Sequence, residues 1–250
     1  TSEIYSKFFY NSFKNKIFNL YLPYENRPHQ NSVINFVKKI SRKNNVYGYY
    51  HRMPEPLQTE MFFKTKNLDY LFVNSKIQKK IFNKFFSWPI KKLKVIKTLR
   101  HNNIKLRKNI IYLPYQVKDS NFYLRKLEYL NNKFVIFHQS FQISIHPLMK
   151  ESKKHKNLEK KIKEKFNKKK KNYLNHISII LGEPGSVAAE CLETYGKVIH
   201  ITSSKYDIFS SKIWDNVKVK MIADDVYLYE KKSKQNFLNK GKNNKLRYLI

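Results

Sequence analysis

The stretch that most constrains the fold is residues 176–201, HISIILGEPGSVAAECLETYGKVIHI. An apolar run at 176–181 breaks into Gly182-Glu183-Pro184-Gly185-Ser186. A helical pattern follows over 187–195, Gly196 stops it, and 197–201 is apolar again. A strand, a Gly/Pro/Ser turn, a helix and a strand make a βαβ unit, whose loops gather at the carboxyl ends of parallel strands. Just upstream, a short run at 143–145 delivers His146-Pro147, with Lys150 within reach. Both turns are expected on one sheet edge, at the ends of neighbouring strands, and that edge is where open α/β sheets bind ligands.

The rest of the chain repeats the rhythm. Strands are predicted over 17–22, 46–50, 70–73 and 94–99, with helices between them. The turn at Pro23–Pro28 reads as rigid, and Asn31 or Ser32 as the cap of the helix after it. Asn74-Ser75 caps a helix over 76–86. After a polar stretch at 101–109, strands are expected at 110–113, 134–138 and 142–145, with a helix over 120–130. The lysine-rich segment 150–172 reads as a solvated helix with a thin apolar stripe, Leu158, Ile162 and Phe166, lying across the surface. A last strand falls at 218–222, a short element at 226–230, and Asp224-Asp225 reads as a helix cap. The expected fold class is α/β, with two Rossmann-like halves at 1–104 and 105–230 and a frayed basic tail at 231–250. The first half is short for an independent domain, and a truncation is expected. The chain also opens on Thr1 rather than Met, so an upstream portion is expected.

Composition narrows the classes. The 250 residues are 41% hydrophobic, enough for one large core or two modest ones. A single cysteine, Cys191, excludes an internal disulfide and points to a reducing, cytoplasmic compartment. No run of 18 apolar residues would span a membrane. The net charge of +33 predicts attraction to sugar phosphates or an anionic membrane surface, peripheral on the inner membrane. Nucleic acid is not the expected partner. Lysine supplies nearly all of the charge, whereas base readers lean on the arginine fork. Lysine, Asn, Ile, Phe and Tyr are abundant together, as an AT-rich coding sequence would make them.

No Walker or dinucleotide fingerprint and no zinc spacing is present, so no metal or bound cofactor is expected. Gly182 and Gly185 permit positive φ and close backbone approach. Ser186 stands where an N-cap belongs, and the amides of Val187 and Ala188 would then face an anion. Ordinary cap chemistry would explain the same turn. His146, its backbone fixed by Pro147, can donate to a phosphate, and a structural strand-end histidine is the alternative.

SIHPLMK followed by LGEPGSVAAECLETYGKVIHI resembles the carboxyl-terminal donor domain of bacterial GT-B glycosyltransferases. Within these it is most similar to the sialyltransferase and polysialyltransferase-like group with an HP motif and a later serine motif. LPYENRPHQ, VYGYYHRMPEPL and YLFVNSKIQKKI resemble the acceptor half of capsule and lipopolysaccharide biosynthesis proteins. The resemblance implies a GT-B-like fold and a nucleotide-sugar substrate, CMP-linked. It places His146, Pro147 and Lys150 on the donor phosphate with Gly185 and Ser186 beside them, and Glu190 toward a ribose or base. A glycan or lipid-linked acceptor is implied as the partner; a basic nucleic-acid-binding α/β protein and an inactive glycosyltransferase-like partner domain are the alternative readings. The acidic triplet that supplies the base in that group has no counterpart here. Glu25 and His51, at strand ends, are therefore the candidate bases, with turn-stabilising roles as the alternative. Arg27, Arg52 and Arg100 are candidate clamps for an acidic sugar or phosphate, or plain surface charges.

Overall fold

The apolar runs of the first hundred residues become four parallel strands: β1 (Asn19–Pro23), β2 (Asn45–Tyr49), β3 (Tyr70–Val73) and β4 (Leu93–Val95), lying in the order β1-β2-β3-β4. The computed structural model describes residues 10–14, 16–52, 59–62, 65–98, 109–134, 141–166, 177–232 and 236–237. Two compact units emerge, one drawn from Thr1–Pro54, Gln58–Asn103 and Gln235–Ile250, the other from Glu55–Leu57 and Ile104–Lys234. The α/β class with two sheets is therefore as expected.

In the first unit, helix α1 (Pro28–Ile40) joins β1 to β2, and α2 (Lys76–Lys84) joins β3 to β4. Parallel crossovers are right-handed, so a strand order that advances one way sends its helices to one face. Burial follows that rule. Val46, Leu71, Val73 and Leu93 are fully buried, while Tyr47, Tyr49 and Phe72 on the opposite face are only half-buried. The open face covers itself. Tyr21 stacks on Tyr47 at 4.6 Å, Tyr47 on Phe72 at 5.8 Å, and Asn45 Nδ2 donates to Asn19 Oδ1 at 3.0 Å. In-register parallel pairing sets like beside like, and such cross-strand pairs are the unit of sheet stabilisation.

Helix α1 starts earlier than expected. Pro28 occupies its first turn, where a missing N–H costs nothing, so neither Asn31 nor Ser32 is the cap. Gln30 wires the turn instead: its Oε1 accepts from the amides of Glu25 (2.8 Å) and Arg27 (3.0 Å), and its Nε2 donates to Pro23 O (2.9 Å). Ser75 caps α2 as expected, accepting from Gln78 N at 3.0 Å. The tail is not wholly frayed, because Phe237 is fully buried.

The second unit holds β5 (Ile110–Tyr112), α3 (Ser120–Phe134), β6 (Gln142–Ser144), α4 (Lys153–Phe166), β7 (Ser178–Leu181), α5 (Gly185–Tyr195), β8 (Lys197–Ile201), β9 (Val217–Ala223) and β10 (Val226–Lys231). The strand order is β6-β5-β7-β8-β10-β9, parallel from β6 to β8 and antiparallel beyond. From β5 the chain steps outward to β6, then returns past β5 to β7. Such a reversal is a topological switch point, and it opens a crevice at the carboxyl ends of the strands.

Several expectations change here. Residues 218–222 and 226–230 form one antiparallel hairpin, and Asp224-Asp225 is its turn, not a helix cap; Asp225 takes φ 60°, which aspartate tolerates. Phe134 closes α3, and the rest of the predicted strand 134–138 lies outside the described residues, as do His176 and most of the polar stretch 101–109. Helix α4 does not merely lie across the surface. Its stripe of Leu158, Ile162 and Phe166 is buried in the unit's core with Leu127, Leu130 and Ile179, and His155 joins it.

Candidate functional site

Two clusters of expected residues form, one in each unit. In the first, the ends of β1 and β2 bring Glu25 and His51 together: His51 Nε2 lies 3.1 Å from Glu25 Oε1. Two guanidiniums join them. Arg27 Nε reaches Glu25 Oε2 at 3.4 Å, and Arg52 Nε reaches Oε1 at 3.8 Å. Arg52 also pairs with Glu60 at 3.2 Å, a carboxylate the sequence did not single out. The positions are built from below. Tyr24, fully buried, packs so closely over Gly48 that a Cβ there would meet its Cβ at 2.9 Å. Its hydroxyl bonds to the side chains of Asn26 and Asn31, fixing the turn that carries Glu25. Asn74 Nδ2 donates to the carbonyls of Tyr50 (2.9 Å) and Arg52 (3.1 Å), on either side of His51. Glu25 is thus engaged by three donors and acts as an orienting partner. The other ring nitrogen of His51, Nδ1, is buried. Arg100 lies outside the described residues.

The second cluster stands at the switch point. Because β6, β5 and β7 are parallel, His146, Pro114-Tyr115 and Gly182–Ser186 leave the sheet at one edge. The two motif strands are not neighbours, since β5 lies between them; two inter-strand steps separate them by about 10 Å. The loop after β5 fills the gap, and Tyr115 meets the His146 ring edge-on at 5.1 Å. His146 Nδ1 accepts from Leu148 N at 3.3 Å, a bond that assigns the proton to Nε2 and leaves Nε2–H as a donor. Pro147 begins a short 3-10 turn (Pro147–Met149), and Lys150 follows it, exposed.

Gly182 takes φ +74°, and a Cβ there would sit 2.7 Å from Pro114 Cβ and 3.0 Å from Tyr123 Oη. No other residue fits that approach. Helix α5 opens at Gly185 with Pro184 as N-cap, so Ser186 lies inside the first turn and is not the cap. Ala188 N bonds to Pro184 O at 3.2 Å. The outward amides are therefore those of Gly185, Ser186 and Val187, one residue earlier than expected. Glu190 follows one turn later, half-buried.

Histidines outside the motifs hold this edge in place, and the sequence reading missed them. His200, fully buried in β8, donates from Nε2 to Gly182 O at 2.5 Å, while its Nδ1 meets Tyr229 Oη at 2.7 Å. Burial pushes its pKa down to about 4, so the ring is neutral and its tautomer fixed. His155 Nε2 lies 2.9 Å from Pro114 O and ties α4 to the β5 loop. A histidine at an inward position of an otherwise apolar strand, VIHI, was the available signal for the first.

The charge around the edge is mixed. Burial, then Asp207, Glu183 and Asp119, push the Tyr123 phenol up to about 12, so carboxylates gather on the β7 and β8 side. Cys191 is buried on the inner side of α5, and burial pushes its thiol up to about 12. Among the described residues no group of three or more His, Cys, Asp or Glu is placed to hold a metal ion, and no helix is long and apolar enough to cross a membrane. Compared with known proteins, the chain matches no family model and no curated protein.

Proposed function

We propose that the chain is a metal-independent glycosyltransferase of surface-carbohydrate assembly, which holds a nucleotide-sugar donor at the carboxyl edge of the second unit's sheet. The observation that carries this reading is that His146 and the first-turn amides of Gly185, Ser186 and Val187 leave the sheet at the same edge, on β6 and β7 to either side of β5. Both are donors of the kind a phosphate oxygen accepts from. As the bond from the anomeric carbon to the phosphate oxygen breaks, negative charge grows on the leaving nucleotide. Preorganised donors stabilise that charge more in the transition state than in the bound donor. The carboxylates of Glu183 and Asp207 suit hydroxyl donors, such as those of a ribose, better than a second phosphate. The donor's sugar (sialic acid or another acidic sugar) goes to a glycan or lipid-linked acceptor, and His51, oriented by Glu25 within the first unit, is the candidate base. The rival nucleic-acid reading gains little, because the aromatic rings of the first sheet stack on one another and not toward a base.

Nucleotide protection tests the donor site. CMP, UDP and GDP are added separately and the melting temperature is followed. A ligand at a hundred times its Kd adds about 2.7 kcal/mol of stability, which is a shift of several degrees. The response should appear with one nucleotide, CMP first, and vanish in His146→Ala, whose exposed ring contributes little to the core. No response to any nucleotide, or an equal one in the variant, sinks the donor site.

A further inference from the structure

The corner of the second unit where β6 ends carries, beside His146 and Lys150 of the proposed donor site, an exposed leucine and further lysines that sugar transfer does not need. β6 is the outermost strand of its sheet, and the chain leaves it through the turn Pro147–Met149 into α4. Leu148, at the tip of that turn, is 75% exposed, the most exposed aliphatic side chain among the large hydrophobics of the described residues. Lys150, Lys153 and Lys154 follow it directly, all exposed and without a salt bridge among the described residues. Helix α4 turns His155, Leu158, Ile162 and Phe166 inward, so its other faces present lysines to solvent. Lys154 and Lys161, seven residues apart, share one flank. The opposite end of the same edge carries Glu183, Asp207, Asp224 and Asp225, with Lys126 paired to Asp225 at 3.6 Å.

We infer that this corner, the turn after β6 with the first turns of α4, docks on an anionic lipid bilayer. Leu148 enters the interface, and Lys150, Lys153 and Lys154 rest on the headgroups. An apolar tip flanked by three lysines and one carboxylate, Glu151, which pairs with Lys156, is net cationic and fits a surface that is negative outside and oily beneath. A nucleic acid would use the lysines and gain nothing from the leucine. The inference does not depend on the sugar-transfer reading, since it concerns binding to lipid alone.

Vesicle cosedimentation of the full chain tests it, using phosphatidylcholine with and without about a third phosphatidylserine. Each lysine near such a surface is worth about fivefold in partitioning, so Lys150→Gln/Lys153→Gln/Lys154→Gln should bind about a hundredfold more weakly. A control of equal charge change on the first unit, Lys39→Gln/Lys66→Gln/Lys91→Gln, should lose much less. Leu148→Trp reports insertion directly, because Trp88 and Trp214 are both buried, and its emission should shift to the blue on vesicles. Equal loss in the two triple variants would reduce the effect to net charge and overturn the proposal, as would an unshifted Leu148→Trp. Single-stranded DNA is the third probe. If Leu148→Ser weakens binding to DNA as much as to vesicles, the lipid assignment fails.

Discussion

His51 Nε2 stands 3.1 Å from Glu25 Oε1, so the two residues expected as rival bases form one unit. The carboxylate is further held by Arg27 and Arg52, and the turn beneath it is wired by Gln30 and Tyr24. On the proposed reading, a carboxylate so engaged orients the ring and leaves proton transfer to the imidazole.

The kinetic signature of that division is a split between the units. His51→Ala should lower kcat by about 10²- to 10⁴-fold, the usual worth of a general base, with nucleotide affinity unchanged. His146→Ala should weaken nucleotide binding first. Glu25→Gln should fall between His51→Ala and wild type in kcat. Steady-state kinetics with the donor named by the protection assay checks this, and parallel losses in both parameters for both histidines would remove the division of labour.

A second expectation concerns acid. The unfolded chain protonates His200 as pH falls through about 6.5, whereas the folded chain refuses that proton until about pH 4. In that window the unfolded state binds more protons, so stability is complete above the upper value and is lost on the way down. The loss is on the order of 3 kcal/mol by pH 4. His200→Gln can still donate to the Gly182 carbonyl and should flatten the dependence. Urea denaturation at pH 4.5 and 7.5 measures both slopes, and equal slopes would count against the buried neutral ring.

The two glycines of the turn should separate under the same substitution. Gly182→Ala meets both a left-handed backbone and the rigid Pro114 ring, and should cost about 3 kcal/mol or more. Gly185→Ala has nothing within 4 Å of the new carbon and φ +48°, so only the backbone term of about 1–2 kcal/mol remains. Thermal melts rank them; a reversed order would mean that the Pro114 contact is not formed.

Helix α4 gives a direct test of its burial. Leu158→Ala should cost about 2–5 kcal/mol as a core truncation, while Lys160→Ala should stay within about 0.5 kcal/mol. If both are silent in urea melts, the stripe is not part of the core.

What was legible from sequence was whatever local chemistry decides. The strand, turn and helix of 176–201 were readable because Gly182, Gly185 and Gly196 punctuate the chain whatever surrounds them, and all three take positive φ. Ser75 announced its cap for the same reason. Long-range decisions were hidden. Nothing near His146 says that β5 intervenes before β7, because strand order is set by packing across the whole sheet. The stripe of α4 looked thin among lysines, yet four inward positions suffice when a sheet lies beneath them. Asp224-Asp225 carried signals common to caps and hairpins, and only the pairing of Val226 with Ala223 chooses between them. The Glu25–His51 pair joins residues on separate strands, so their types were visible and their meeting was not.

The strand order of the first sheet has a consequence for how the chain is made. Each of its strands pairs with the one synthesised just before, from β1 through β4. As the polypeptide leaves the ribosome, every new strand finds its template already in place, and loop closure stays short at each addition. The second sheet has no such vectorial route. There β7 must bypass β6 to reach β5, so its docking waits until the intervening helix has emerged.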